Sequence, residues 1–188
     1  KYNYVTQELN IGGGFGIRYT DDDDKKPYAY FLDPMMKRIE EFSKEMNINR
    51  PEIVIEPGRS IVGEAGLTLY TIGTIKDIKG IRKYVSVDGG MTDNIRPALY
   101  QAKYESVIAN KAAQPSNDLV TISGKCCESG DILIRDAYMP LAERGDILAI
   151  FSTGAYGYSM ASNYNKAPFP ATVLVKEGKS EIIVKRQT

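Results

Sequence analysis

Pro51-Glu52-Ile53-Val54-Ile55-Glu56-Pro57-Gly58-Arg59-Ser60 is the stretch around which this chain is organised. Pro51 to Ile55 is an apolar, β-branched run that reads as a short buried strand. Ile61-Val62-Gly63-Glu64-Ala65-Gly66 then opens as a helix, with Ser60 near its N-cap. A strand that passes through glycine into a helix start leaves backbone N–H groups aimed at one spot. Unpaired amides and the helix dipole both favour an anion there. Glu56 stands at the strand's end, where barrel enzymes keep their chemistry. Arg59 adds a forked cation for a phosphate or carboxylate. The same residues also fit an ordinary strand–turn–helix corner with a surface salt bridge.

Upstream, residues 1–11 lead into a strand, and Leu9-Asn10-Ile11 runs into Gly12-Gly13-Gly14-Phe15-Gly16. Such a loop lets the backbone approach a ligand closely. It is equally a flexible turn, and it matches neither the P-loop nor the dinucleotide fingerprint. Asp21 to Asp24 lacks the spaced oxygen ligands and closing Glu of a calcium loop and reads as a solvated loop. Asp33-Pro34 is expected to start a helix, with Asp33 as N-cap. Met35, Met36, Ile39, Phe42 and Met46 recur at helical spacing, and core packing against a sheet is expected of them. Asn47 to Pro51 ends that helix. The order strand, Gly-loop, helix, strand, Gly-Arg loop, helix belongs to a parallel sheet or a (β/α) barrel. Two such units cannot close a barrel of eight, so the expectation is a small α/β layer or a piece of a larger protein.

After about residue 67 the period changes. Leu67 to Ile78 alternates every second residue, and Tyr84 to Asp88 follows the Lys79-Gly80 turn. Further strands are expected at Glu105–Ala109, Leu119–Ser123, Asp131–Arg135, Asp146–Phe151, Ala171–Val175 and Glu181–Lys185. Short helices are expected near Asn94–Tyr100 and Ala155–Asn163. Strands and turns at this density indicate an antiparallel sandwich or barrel.

Composition narrows the chemistry. Of 188 residues, 43% are hydrophobic, enough for a real core, and 24 basic residues balance 24 acidic ones. That balance gives no net charge to draw nucleic acid or an anionic membrane. No apolar run approaches the roughly 20 residues that span a bilayer. Adjacent Cys126 and Cys127 form no disulfide framework, so a reducing, cytoplasmic location is expected. Histidine is absent, which excludes His-based triads and His-ligated metals within this chain, and no metal site is expected.

Six motifs occur in one order: Gly12-Gly13-Gly14-Phe15-Gly16, Glu56-Pro57-Gly58-Arg59-Ser60, Asp88-Gly89-Gly90-Met91, Arg96-Pro97-Ala98-Leu99-Tyr100, Cys127-Glu128-Ser129-Gly130-Asp131 and Gly154-Ala155-Tyr156. Together they resemble the C-terminal half to two-thirds of the diaminopimelate decarboxylase family. The resemblance implies an α/β plus all-β chain. Residues 1–70 would be the last β/α units of an alanine-racemase-like, pyridoxal-phosphate-binding (β/α) barrel, and 71–188 an antiparallel β-sandwich or barrel domain. It implies conversion of meso-2,6-diaminopimelate to L-lysine and carbon dioxide, the last step of lysine biosynthesis, with pyridoxal 5'-phosphate. Ornithine, arginine and carboxynorspermidine decarboxylases share the Gly-loop and the Glu-Pro-Gly-Arg element. Cys-Glu-Ser-Gly-Asp with Arg-Pro-Ala-Leu-Tyr favours the diaminopimelate branch. A non-catalytic β-domain module would leave Glu56-Pro57-Gly58-Arg59 unexplained.

By this resemblance, Gly14 and the amides of Gly58 and Arg59 hold the cofactor phosphate, and Glu56 pairs with the pyridinium nitrogen. Arg59, Arg96 and Tyr100 hold the substrate's carboxylate or distal end. Glu128 reads the distal ammonium, Cys127 is the proton donor, and Tyr156 contacts both cofactor and substrate. The Cys127-Glu128 segment completes the active site of a partner subunit, which implies a homodimer. The family's cofactor-bonding lysine and ring-stacking histidine lie in earlier barrel strands, so a chain that holds only this part is expected to be inactive alone. Cys126 stands where the family often has histidine. Taken singly, Cys127 reads as a small buried hydrophobe, Glu128 as a solvated acid, Arg96 and Tyr100 as an i,i+4 helix-surface pair, and Tyr156 as a packed aromatic.

Overall fold

The computed structural model describes residues 4–188; residues 1–3 of the expected N-terminal unit lie outside it. The N-terminal part is a single β–α–β unit. Strand β1 (Glu8–Asn10) pairs in parallel with β2 (Glu52–Val54), and helix α1 (Tyr28–Glu45) runs between them.

Helix α1 begins six residues earlier than the Asp33-Pro34 signal indicates, and Pro34 lies inside it. The reason is aromatic packing. Tyr28 and Phe31 meet the buried Phe15 ring edge-on, at centroid distances of 5.0 and 5.8 Å. That contact fixes the first turn ahead of the proline, with Pro27 supplying the extended entry. The apolar stripe is not a core face. Met35, Phe42 and Met46 are exposed, Met36 and Ile39 are half-buried, and Ser43 is the helix's buried residue. A sheet of two three-residue strands is too small to cover an 18-residue helix. Asn47 takes a left-handed φ of 51° and stops the helix.

Helix α2 (Gly58–Val62) starts directly at Gly58, so Ser60 is inside it and not at its N-cap. The Ser60 hydroxyl instead donates back to the Pro57 carbonyl and accepts a hydrogen bond from the Tyr28 hydroxyl at 2.7 Å.

The rest is β-rich. Strands β3 (Thr68–Ile78), β4 (Arg82–Val87), β5 (Ser106–Ile108), β6 (Asp118–Ser123), β7 (Ile132–Met139) and β8 (Ile147–Ile150) form one six-stranded sheet in the order β5-β8-β3-β4-β6-β7. The first half of β3 pairs with β8 and the second half with β4, with a register shift between Ile72 and Ile75. Edge strands β5 and β7 approach each other, so the sheet is nearly closed. Alternation sets the core: Tyr70 and Ile72 on β3, and Val85 and Val87 on β4, point inward. On β6, Val120, Thr121 and Ile122 are all buried because the strand is covered on both faces. Leu148, Ile150, Leu133, Met139, Tyr104, Ile108 and Ala142 complete the core.

The sheet is mixed, not antiparallel as its turn density indicates, because β4 and β6 pair in parallel. Parallel neighbours need a long crossover. Here the crossover carries Asp88-Gly89-Gly90-Met91, helix α3 (Arg96–Tyr100) and β5, and so delivers two of the six motifs to one end of the sheet. Helix α4 (Gly157–Met160) follows β8, and β9 (Thr172–Lys176) with β10 (Lys179–Val184) forms a separate hairpin. The expected strands thus form, each shifted by a few residues at its ends.

Candidate active site

The two glycine loops meet backbone to backbone. Glu56 N–H donates to the Gly12 carbonyl at 2.8 Å. A Cβ at Gly13 would lie 2.1 Å from the Glu56 carbonyl oxygen, so only glycine fits. Gly12 and Gly14 take φ of 74° and 87°. A Cβ at Gly14 or Gly58 would meet nothing within 4 Å, which leaves open space on both loops. Asn10 joins them: its side-chain oxygen accepts from Gly12 N–H at 2.8 Å, and its amide donates to Glu56 Oε1 at 2.5 Å. The sequence motifs gave no weight to Asn10, although its place at the end of β1 is the signal that could have found it.

Arg59 projects from α2 toward two tyrosines, with its guanidinium 5.8 Å from the Tyr19 ring centre and 5.4 Å from that of Tyr156. Arg96, on α3, faces the same Tyr156 ring at 5.4 Å and the Tyr100 ring at 5.4 Å. Tyr156 is therefore shared by two guanidiniums, a cation–π arrangement that holds both in one place. Among the described residues, neither Arg59 nor Arg96 enters a salt bridge. Two cations with no carboxylate partner are available to an anionic ligand.

Arg96 is buried, so it is not half of a surface pair, and its Nε–H donates to the Tyr104 hydroxyl at 3.0 Å. Burial raises the Tyr104 hydroxyl above its ordinary value, with Arg96 opposing, so it stays protonated. Tyr156 reaches the arginines because its own chain segment docks against the end of α2. Thr153 and Gly154 donate backbone bonds to Gly66 and Gly63, each at 3.0 Å. Gly154 is pressed against the chain there, since a Cβ would lie 1.9 Å from the Val62 carbonyl. Tyr156 itself takes a left-handed φ of 68°, a costly conformation for a bulky residue that the docked segment imposes.

Cys127 and Glu128 lie in a loop between β6 and β7. Cys127 is exposed, so it is not a buried hydrophobe, while Cys126 is half-buried with its thiol raised by burial and by Asp131. The loop hangs on Asp131, which is only 2% exposed. One carboxylate oxygen accepts from Met91 N–H and the other from Cys126 N–H, each at 2.7 Å. Gly90 and Gly124 make room for it, since a Cβ at either would lie 2.5 or 2.2 Å from that carboxylate. Glu128 pairs with the Tyr164 hydroxyl. Among the described residues it makes no hydrogen bond or salt bridge to Arg59 or Arg96. The structure thus brings Arg59, Arg96, Tyr100 and Tyr156 into one cluster, sets Gly14, Gly58 and Glu56 on the adjoining loops, and leaves Cys127 and Glu128 on a separate one.

The residues present suit a group that carries both a phosphate and a basic ring nitrogen. Open space over Gly14 and Gly58 admits the phosphate, and the Asn10-held carboxylate of Glu56 suits the ring.

Residues 4–154 match the family model described as "Pyridoxal-dependent decarboxylase, C-terminal sheet domain". A diaminopimelate decarboxylase of Bacillus subtilis is 54% identical over 187 residues, which is 100% of this chain and 43% of that protein. One from Halalkalibacterium halodurans is 51% identical over 99% of this chain and 42% of its own length. The chain therefore spans less than half the length of the curated relatives it matches. Among solved structures, diaminopimelate decarboxylase from M. jannaschii in complex with L-lysine superposes with a TM-score of 0.87 at 35% identity, over 97% of this chain and 41% of that one. A lysine/ornithine decarboxylase from Vibrio vulnificus complexed with putrescine shares the fold, at a TM-score of 0.70 and 21% identity over 85% of this chain and 41% of its own.

Proposed function

This chain belongs to the pyridoxal-dependent decarboxylase family, and from that premise we propose that it is part of a meso-2,6-diaminopimelate decarboxylase, which releases carbon dioxide and L-lysine. The observation that carries this reading is the pair of guanidiniums, Arg59 and Arg96, that share the Tyr156 ring and lack any carboxylate partner among the described residues. A substrate with an amino acid at each end presents anions for such a pair.

When bound, pyridoxal phosphate supplies a sink for the electron pair left on the α-carbon as the C–C bond to the carboxylate breaks. The amides of Gly58 and Arg59 and the space at Gly14 would take its phosphate, and Glu56, oriented by Asn10, its ring nitrogen. Arg59, Arg96 and Tyr100 would bind substrate carboxylate, with Tyr156 packed between the arginines and against the ligand. Glu128 would read the distal ammonium. The Cys127 thiol would deliver a proton to the carbon that loses carbon dioxide. Cys127 is exposed, and Glu128 pairs with Tyr164, with no hydrogen bond or salt bridge to Arg59 or Arg96 among the described residues. That supports a loop that serves the site of a second subunit, and hence a homodimer. The parallel β1–α1–β2 unit supports residues 1–70 as part of a cofactor-binding (β/α) barrel of the alanine-racemase type, with 71–188 as a β-sandwich or barrel domain. The free thiols Cys126 and Cys127 support a cytoplasmic location.

The test is turnover by the protein that carries this chain, supplied with pyridoxal phosphate. L-Lysine should form from meso-diaminopimelate, while L-ornithine and L-arginine are turned over at least about a hundredfold less efficiently, because neither carries the second carboxylate that would pair with the Arg59 and Arg96 guanidiniums. Comparable kcat/KM for ornithine would overturn the assignment.

A further inference from the structure

We propose that Tyr164 is a specificity-determining positioning residue, which holds the Glu128 carboxylate so that one oxygen stays free for the substrate's distal ammonium. The inference rests on the reading of Glu128 given above.

Both partners are anchored to one segment. Glu128 hangs from the loop that Asp131 ties to Met91 N–H at 2.7 Å, and Asp131 N–H donates to the Glu128 carbonyl at 3.1 Å. Tyr164 follows a stretch in which Ser162 N–H donates to the Thr92 carbonyl at 2.9 Å. Met91 and Thr92 are neighbours, so the two side chains are set against each other from a common base. The turn that carries Tyr164 is stiff. Asn165 and Lys166 take φ of 54° and 58°, and Asn163 donates its amide to the Ala167 carbonyl at 2.8 Å and to Gln187 Oε1 at 2.6 Å. Tyr164 is thus presented by a turn with little freedom, not by a floppy side of the loop.

The chemistry of the pair is selective. The Tyr164 hydroxyl donates to Glu128 Oε1. A carboxylate offers about four acceptor positions, so Oε2 and the second lone pair of Oε1 stay open. A phenol is a neutral donor. It orients the carboxylate without cancelling its charge, whereas an Arg or Lys in its place would compete with a cationic substrate. The Glu128 carboxylate in turn raises the Tyr164 hydroxyl above its ordinary value, so it remains a donor at neutral pH. The family motif names the Cys-Glu element but not a residue 36 positions downstream; the pairing is visible only in the fold.

The experiment compares Glu128→Gln, Tyr164→Phe and the double variant in the protein that carries this chain, loaded with pyridoxal phosphate. Substrates are meso-diaminopimelate and 2-aminopimelate, which lacks the distal ammonium. Tyr164→Phe should raise KM for meso-diaminopimelate about fivefold with kcat within about twofold, and should leave 2-aminopimelate unchanged. In the Glu128→Gln background the same change should add less than about 1.5-fold, since a residue that acts through another is not additive with it. If Glu128→Gln raises KM and Tyr164→Phe does not, or if the two effects multiply, the inference is wrong and the reading of Glu128 stands. Equal losses for both substrates would mean a merely structural tyrosine. If Glu128→Gln itself leaves KM for meso-diaminopimelate unchanged, the reading of Glu128 fails and takes the inference with it.

Discussion

Replacing Asp131 by Asn is the sharpest probe of how the Cys127-Glu128 loop is seated. The change keeps the shape of the side chain and removes its charge and one of its two acceptors. In the fold, one oxygen takes Met91 N–H and the other Cys126 N–H, at 2.7 Å each, and the group is 2% exposed. The new amide can satisfy one of these donors; its NH2 group must then face the other N–H. Water cannot step in, because Gly90 and Gly124 close over the carboxylate. A charge-assisted bond to a buried donor is worth about 1.5–3 kcal/mol, and a stranded donor adds a desolvation cost of similar size, so the local penalty is about 3 kcal/mol at the least. That corresponds to roughly a hundredfold in the equilibrium that opens the loop. Amide hydrogen exchange reads it directly: Met91 and Cys126 should exchange about a hundredfold faster in Asp131→Asn, while Ile122 and Val85 in the sheet core change little. Exchange at Met91 and Cys126 within about threefold of the parent would refute the reasoning, because it would mean that the carboxylate is not what holds the loop.

Other perturbations follow from the same geometry. Gly154→Ala puts a Cβ 1.9 Å from the Val62 carbonyl; the backbones must part by ~1 Å, at a cost of about 2 kcal/mol or more. A lowered melting temperature and weakened binding of anionic ligand should accompany that shift, and an unchanged protein would show that Gly154 is not the docking point for Tyr156. Ile122→Ala, at a fully buried core position, should cost about 2–5 kcal/mol in urea unfolding. Burial pushes the Asp146 carboxyl up, but Lys111, the Asn110 amide and Glu143 N–H outweigh it and hold the group below its ordinary 3.8. Its folded value therefore lies under its unfolded one, so its contribution is full at neutral pH and is lost as pH falls through 3.8 and below. Asp146→Asn should lower the melting temperature at pH 7 and converge with the parent in acid; a gap that persists or widens there would reverse the sign.

Much of the fold was legible because it depends on near neighbours. Alternation at Leu67–Ile78 marks β3, and turns such as Arg144-Gly145-Asp146 mark the strand ends, since these signals span a few residues. The stripe on α1 misled for the opposite reason: Met35, Phe42 and Met46 report that a helix has an apolar face, not what covers it. Pro34 misplaced the helix start because Phe15, far off in sequence, holds Tyr28 and Phe31. The parallel pairing of β4 with β6 was invisible, because strand order is a matter of crossover and not of composition.

By itself the sequence determined the order of strands and helices, the two glycine loops and the family, since six linked motifs carry more information than any one of them. Only the tertiary structure decided that Arg59 and Arg96 meet over one tyrosine ring, that Asp131 ties the Cys127-Glu128 loop to Met91, and that Tyr164 faces Glu128. Those contacts join residues far apart in the chain. Each depends on a close backbone approach at Gly90, Gly124 or Gly154, or on a shared anchor at Met91 and Thr92, and no local spacing rule encodes where a packed chain comes back to itself.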